Sequence, residues 1–175
     1  MKRIMLATMT LAMVAPGLAN AEVVNGRKVL MGQGALWSWV ETSKGKTTAI
    51  GVCFTEKALM GLPDGGPGGM AGEYLSAFPK GAEPYDHIGM DWNPKGHIPP
   101  FYQVPHFDVH FYMITPSDRA GISILGDGLQ KLQKKPEANQ LPENYIYAPG
   151  SEESWMGAHW VDVRSPELHG QPFTQ

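Results

Sequence analysis

The chain has 175 residues, with Lys+Arg 14, Asp+Glu 17 and a single cysteine, which fits one domain and excludes a disulfide framework. A net charge of −3 leaves no basic face for nucleic acid, and Gly 21 with Pro 15 is too rich in breakers for a helix bundle.

Met1-Lys2-Arg3 is a short cationic start, Ile4 to Leu18 is an apolar run broken only by Thr8 and Thr10, and Ala19-Asn20-Ala21 places small residues around a cleavage point. This order predicts a signal peptide over residues 1–21, cut after Ala21, and a periplasmic or secreted protein. The apolar run is too short for a membrane span, and no cysteine follows to carry a lipid, so no membrane anchor is expected. Residues 22–175 then form a single β-rich domain. Loss of Lys2 and Arg3 takes the net charge from −3 to −5, so the expected partners are small ligands, metals or copies of the chain, and not nucleic acid.

Leu36 to Thr42 and Thr47 to Phe54 are rich in strand formers, and the break at Ser43-Lys44-Gly45-Lys46 predicts a hairpin. Cys53 lies in its apolar second arm, where a lone thiol is expected to behave as a small buried hydrophobe. Thr55 is placed to cap a short helix through Met60. Residues 61–72 hold six glycines and two prolines and read as a loop, without the Lys-Ser/Thr pair or following helix of a phosphate loop. A short strand is expected over Glu73 to Phe78. Residues 79–105 contain six prolines and read as one long irregular stretch, packed by Tyr85, Trp92, Phe101 and Tyr102.

Val104 to Ile114 is the strongest strand, and Thr115-Pro116-Ser117-Asp118 is a helix start with a cap, a proline in the first turn and an acid. Gly126 to Glu137 reads as exposed connection, and Tyr145 to Tyr147 and Gly157 to Val163 as further strands. The fold class is mainly β, a single-domain sandwich or barrel with two short helices and long Pro/Gly-rich loops.

On the strongest strand, Phe107, Val109 and Phe111 alternate with His106, Asp108 and His110, so the two sets point to opposite faces. Two imidazoles and a carboxylate in one row predict a metal edge. Positions i and i+4 of a strand lie about 13 Å apart, so His106 and His110 share an ion only through a bulge, and the neighbouring His-Asp pairs are the easier chelates. His159 is the expected third ligand from another strand, His97 a weaker choice on the long loop, and Glu73 a further carboxylate. The predicted metal set is thus His106, Asp108, His110 and His159, suited to Zn, Fe, Mn or Cu, with an open position permitting metalloenzyme chemistry. Two other readings compete with it: a metal-free polar network, and acid/base work without metal. No Gly-x-Ser-x-Gly elbow or His-Glu-x-x-His helix motif is present.

Gly96-His97-Ile98-Pro99-Pro100, Pro105-His106-Phe107-Asp108-Val109-His110-Phe111-Tyr112 and Met156-Gly157-Ala158-His159-Trp160-Val161-Asp162 together resemble an uncharacterised family of secreted bacterial proteins of unknown function, described only as binding proteins. The resemblance runs from about Trp37 onward. It implies a single β-rich domain that self-assembles into a homo-oligomer, and no reaction. Members of that family continue past the equivalent of Gln171 to Gln175 into further strands with an acidic residue, so a C-terminally shortened chain or fragment is expected. The leading expectation is an exported metal-binding protein. The alternative is a metal-free binding or assembly module using Trp37, Trp39, Trp155 and Trp160.

Overall fold

The computed structural model describes residues 21–65 and 69–173, so all of the expected signal peptide except Ala21 lies outside the described residues. The hairpin forms where the sequence places it. Strand β3 (Gly34–Ser43) turns through Lys44 and Gly45, both at positive φ (51° and 72°), into β4 (Lys46–Phe54). Positive φ at both turn residues matches the right-handed twist of the flanking strands. Two short strands at the start of the domain, β1 (Glu22–Asn25) and β2 (Val29–Met31), pair in turn along the other edge of β3 and complete the first sheet.

A single 3₁₀ turn over Glu56–Leu59 follows β4, and Thr55 does not cap it; its Oγ1 instead accepts from the Ala35 amide at 3.1 Å. Cys53 is a free, half-buried thiol opposite Trp37.

The second sheet has the antiparallel order β5 (Gly72–Ala77), β6 (His87–Asn93), β7 (His106–Tyr112). Its central strand lies inside the stretch expected to be irregular. The reason is visible in its residues: Ile88, Met90 and Trp92 alternate with His87, Asp91 and Asn93, but nearly every position is buried, so neither face looks solvated. The chain then enters α1 (Pro116–Ala120), capped as expected by Thr115, whose Oγ1 accepts from the Asp118 amide at 3.1 Å. A second helix, α2 (Asp127–Leu132), occupies part of the predicted connection, and β8 (Tyr145–Tyr147) pairs with β9 (Trp160–Asp162) as a separate ribbon. Among the described residues the fold is mainly β with three sheets and no closed barrel.

The two larger sheets share a core. Met31, Leu36 and Ala58, fully buried, meet Met90, with Tyr74 and Phe107 packed against them. Between β1 and β2 the ladder along β3 is interrupted, and the Ser38 amide there donates to Ser76 Oγ of β5 at 2.9 Å, while Ser38 Oγ donates to Ala77 O at 2.6 Å. Both serines are buried, so this hydroxyl pair clasps the sheets where backbone pairing fails. Ser76→Ala leaves the Ser38 amide without its partner and should lower stability by about 1 to 3 kcal/mol in urea denaturation; an unchanged midpoint contradicts the clasp.

Candidate metal centre

The register of the second sheet sorts its side chains into two faces. Trp92, Met90 and Ile88 lie opposite Phe107, Val109 and Phe111, and Phe107 and Met90 take this face to the shared core. The other face carries Asn93 opposite His106, Asp91 opposite Asp108, Gly89 opposite His110 and His87 opposite Tyr112. Glu73 of β5 extends it beside Asp91. A sheet face of this composition is ordinarily solvated, yet His87, Asp91, Asn93 and His106 are all buried.

His97 joins this face through the connection from β6. Asn93-Pro94-Lys95-Gly96 closes a turn with the Gly96 amide donating to Asn93 O at 3.1 Å, and the His97 amide donates to Tyr102 O at 3.2 Å. Gly96 has φ 66°, and a Cβ there would sit 1.9 Å from Tyr102 O, so only glycine lets the turn close against the returning chain. That turn sets His97 beside the start of β7.

His97, His106 and Asp108 bring one donor atom each to within 4.8 Å of one another. His97 Nε2 is 3.2 Å from His106 Nε2 and 3.1 Å from Asp108 Oδ2, and His106 Nε2 is 3.4 Å from Asp108 Oδ1. Ligands on a tetrahedral ion with bonds of ~2.0–2.1 Å stand about 3.3 Å apart, so the spacing is that of a metal's ligand shell. The outer nitrogens fix the tautomers. His97 Nδ1 lies 2.7 Å from Ile98 O and His106 Nδ1 2.7 Å from Val104 O. A carbonyl only accepts, so each Nδ1 carries a proton, and in a neutral ring Nε2 is the nitrogen left with a lone pair.

Asn93 Nδ2 donates to Asp108 Oδ2 at 2.9 Å and orients the carboxylate, as an outer partner of a ligating group does. Tyr102 and Phe173 wall the cluster, with the Phe173 ring 5.3 Å from His106 and 4.9 Å from Tyr102. The Tyr102 hydroxyl donates to Glu167 Oε1 at 2.9 Å. Burial, then the hydrogen bond to Glu167, then the charges of Glu167 and Asp108 push its phenol up to about 12. The cluster opens on the side of His97 and Asp108, whose side chains are about one third exposed (35 % and 34 %).

Of the residues expected to form the site, His106 and Asp108 come together, and they meet His97, the weaker choice. His110 is on the same face but turns its Nδ1 to Asp91 Oδ2 at 3.3 Å. His159 lies just before β9, outside this sheet, where its backbone amide donates to Ser151 Oγ at 3.0 Å and its Nδ1 lies 2.6 Å from Ser151 O. Glu73 pairs with Arg119. Asn93, Asp91 and Tyr102 were not singled out as site residues. The alternation of His87, Asp91 and Asn93 with apolar neighbours is the signal that marks the first two.

The fold and this cluster define a small β domain carrying a two-histidine, one-carboxylate group on a covered sheet face. Residues 42–92 match the model of the TTHB210-like family, described as hypothetical protein TTHB210, an uncharacterised family of unknown function. The match spans β4, β5 and most of β6 and includes Asp91, and it ends before Asn93, His97, His106 and Asp108. No curated protein and no solved structure matches the chain.

Folding favours the protonated Tyr102 phenol, so its contribution to stability is complete below the ordinary phenol value of ~10 and is lost as pH rises through about 12. Absorbance titration at alkaline pH should show one tyrosine ionising near that value, and Glu167→Gln should lower it. Glu167→Gln with no effect on that tyrosine contradicts the placement of the C-terminal turn against the cluster.

Proposed function

We propose that the protein is an exported metal-binding protein that holds a divalent transition metal ion between His97 Nε2, His106 Nε2 and a carboxylate oxygen of Asp108. The observation that carries this reading is the meeting of two imidazole Nε2 atoms 3.2 Å apart while both outer nitrogens donate to backbone carbonyls. Without a cation, that approach is repulsive unless one ring takes up a second proton. With an ion, both lone pairs and the adjacent carboxylate are satisfied at once.

Two nitrogens and one oxygen suit Zn, Fe(II), Mn or Cu(II), and affinity in such a set rises toward copper. Three protein ligands leave at least one coordination position for water or a small ligand, and a bound water there is acidified by the ion. Phe173 and Tyr102 shield one side of the ion, and the exposed edges of His97 and Asp108 give access from the other. Export is supported by the cationic start, apolar run and Ala19-Asn20-Ala21 of the N-terminus.

Metal analysis of the untagged protein should give bound transition metal that chelator removes and Zn²⁺ or Co²⁺ restores. His97→Ala and His106→Ala should each weaken Zn²⁺ binding by about 100-fold or more, beyond the 10–100-fold typical of an outer partner, whereas His159→Ala should leave it unchanged. Binding indifferent to His97 and His106 overturns the site. Intact-mass measurement of the protein expressed in a secreting host should find a chain starting at Glu22; a chain retaining Met1 to Ala21 contradicts export.

A further inference from the structure

Five buried side-chain atoms of the described residues lack a hydrogen-bond partner: His87 Nε2, both oxygens of Asp91, His110 Nδ1 and the Tyr112 hydroxyl. All belong to four residues on one face of the β6–β7 ladder. Buried polar atoms are nearly always paired, and orphans gathered at one place mark a missing partner. The charged member is Asp91, whose residue is 1 % exposed.

The strand register sharpens the demand. Glu73, Asp91 and Asp108 stand in one line across β5, β6 and β7, each directly opposite the next on the same face. Like charges at facing positions of a sheet repel. Arg119 pairs with Glu73 through one terminal nitrogen, and its Nε donates to Trp155 O at 2.9 Å; its charge also acts on Asp91, but it makes no hydrogen bond to that carboxylate. Asp108 has the His97–His106 site. Asp91 is left with His110 Nδ1 at 3.3 Å and no hydrogen bond.

We propose that Asp91 and His110 form a second divalent metal site on this face, one register step from the first. The choice of a transition metal ion rests on the first site's reading; the need for a cation rests on Asp91 itself. The 3.3 Å between the imidazole nitrogen and the carboxylate oxygen equals the separation of two ligands on a tetrahedral ion. A proton on His110 Nδ1 pairs that nitrogen with Asp91 Oδ2 and leaves Oδ1 orphaned, whereas an ion takes the nitrogen and the carboxylate together. The orphaned atoms are each sealed from solvent, which excludes an organic ligand at the pair. The His110 side chain is 27 % exposed, so its ring borders solvent and gives the ion a path.

Gly89 makes this arrangement feasible. It faces His110 across the ladder, and a Cβ there would come within 3.0 Å of the Tyr112 ring, which stacks on the His110 ring at a centroid distance of 5.6 Å. Tyr112 thereby supports the imidazole from behind.

The test is the stoichiometry of Zn²⁺ bound by the metal-stripped full chain, read by competition with a chromophoric chelator, for wild type, His97→Ala, Asp91→Asn and His110→Gln. Two ions in wild type, one in each variant, and none in His97→Ala combined with Asp91→Asn is the expected result. One ion that His97→Ala abolishes and Asp91→Asn leaves in place overturns the second site and keeps the first. One ion lost with Asp91→Asn or His110→Gln but kept in His97→Ala supports the second site and overturns the first. No ion in wild type overturns both. If Asp91→Asn alters the circular dichroism, His110→Gln, at a partly exposed residue, decides.

Discussion

Two imidazole Nε2 atoms facing each other at 3.2 Å, beside a carboxylate, form the constraint around which the rest of this site is arranged. Each ring is locked from behind by a carbonyl, Ile98 O for His97 and Val104 O for His106, so neither can relieve the contact by changing tautomer. Holding such an arrangement opposes ordinary folding preferences. It persists only where surrounding structure determines the position of every member.

The supporting structure is economical. Strand β7 supplies His106 and Asp108 at adjacent positions on one face, and β6 supplies Asn93 opposite His106 to hold the carboxylate. The glycine-dependent turn after Asn93 places His97, so one strand pair with its own connection furnishes the whole cluster. The opposite face of the same strands enters the core with Met90 and Phe107, and the Ser38–Ser76 clasp fixes this sheet against the first. Displacement of the site therefore requires disrupting the core. The C-terminal 3₁₀ turn (Pro166–His169) brings Glu167 to the Tyr102 hydroxyl, and Phe173 beyond it packs its ring against Tyr102 and His106.

Much of this was legible in the sequence, because it depends on local rules. The alternation of His106, Asp108 and His110 with apolar residues showed the polar face, the Lys44-Gly45 turn showed the hairpin, and Thr115 showed the start of α1. What could not be read was pairing. His110 stayed with its face but met Asp91, because strand pitch separates it from His106. His159 belongs to a ribbon with β8, and nothing in a strand's own residues says which strand it joins. Strand β6 was hidden by its prolines and loops on either side, although Ile88, Met90 and Trp92 carry the same alternation as β7. With β6 unseen, Asn93 and Asp91 had no face to belong to, and His97 had no turn to deliver it.

Imidazole nitrogen NMR of the metal-free protein above neutral pH, followed by Zn²⁺ addition, tests the central claim most directly. The account predicts that Zn²⁺ shifts the Nε2 resonances of His97 and His106 while the Nδ1 protons of both rings stay in place. Nε2 signals that ignore the metal, or Nδ1 protons displaced by it, contradict the account.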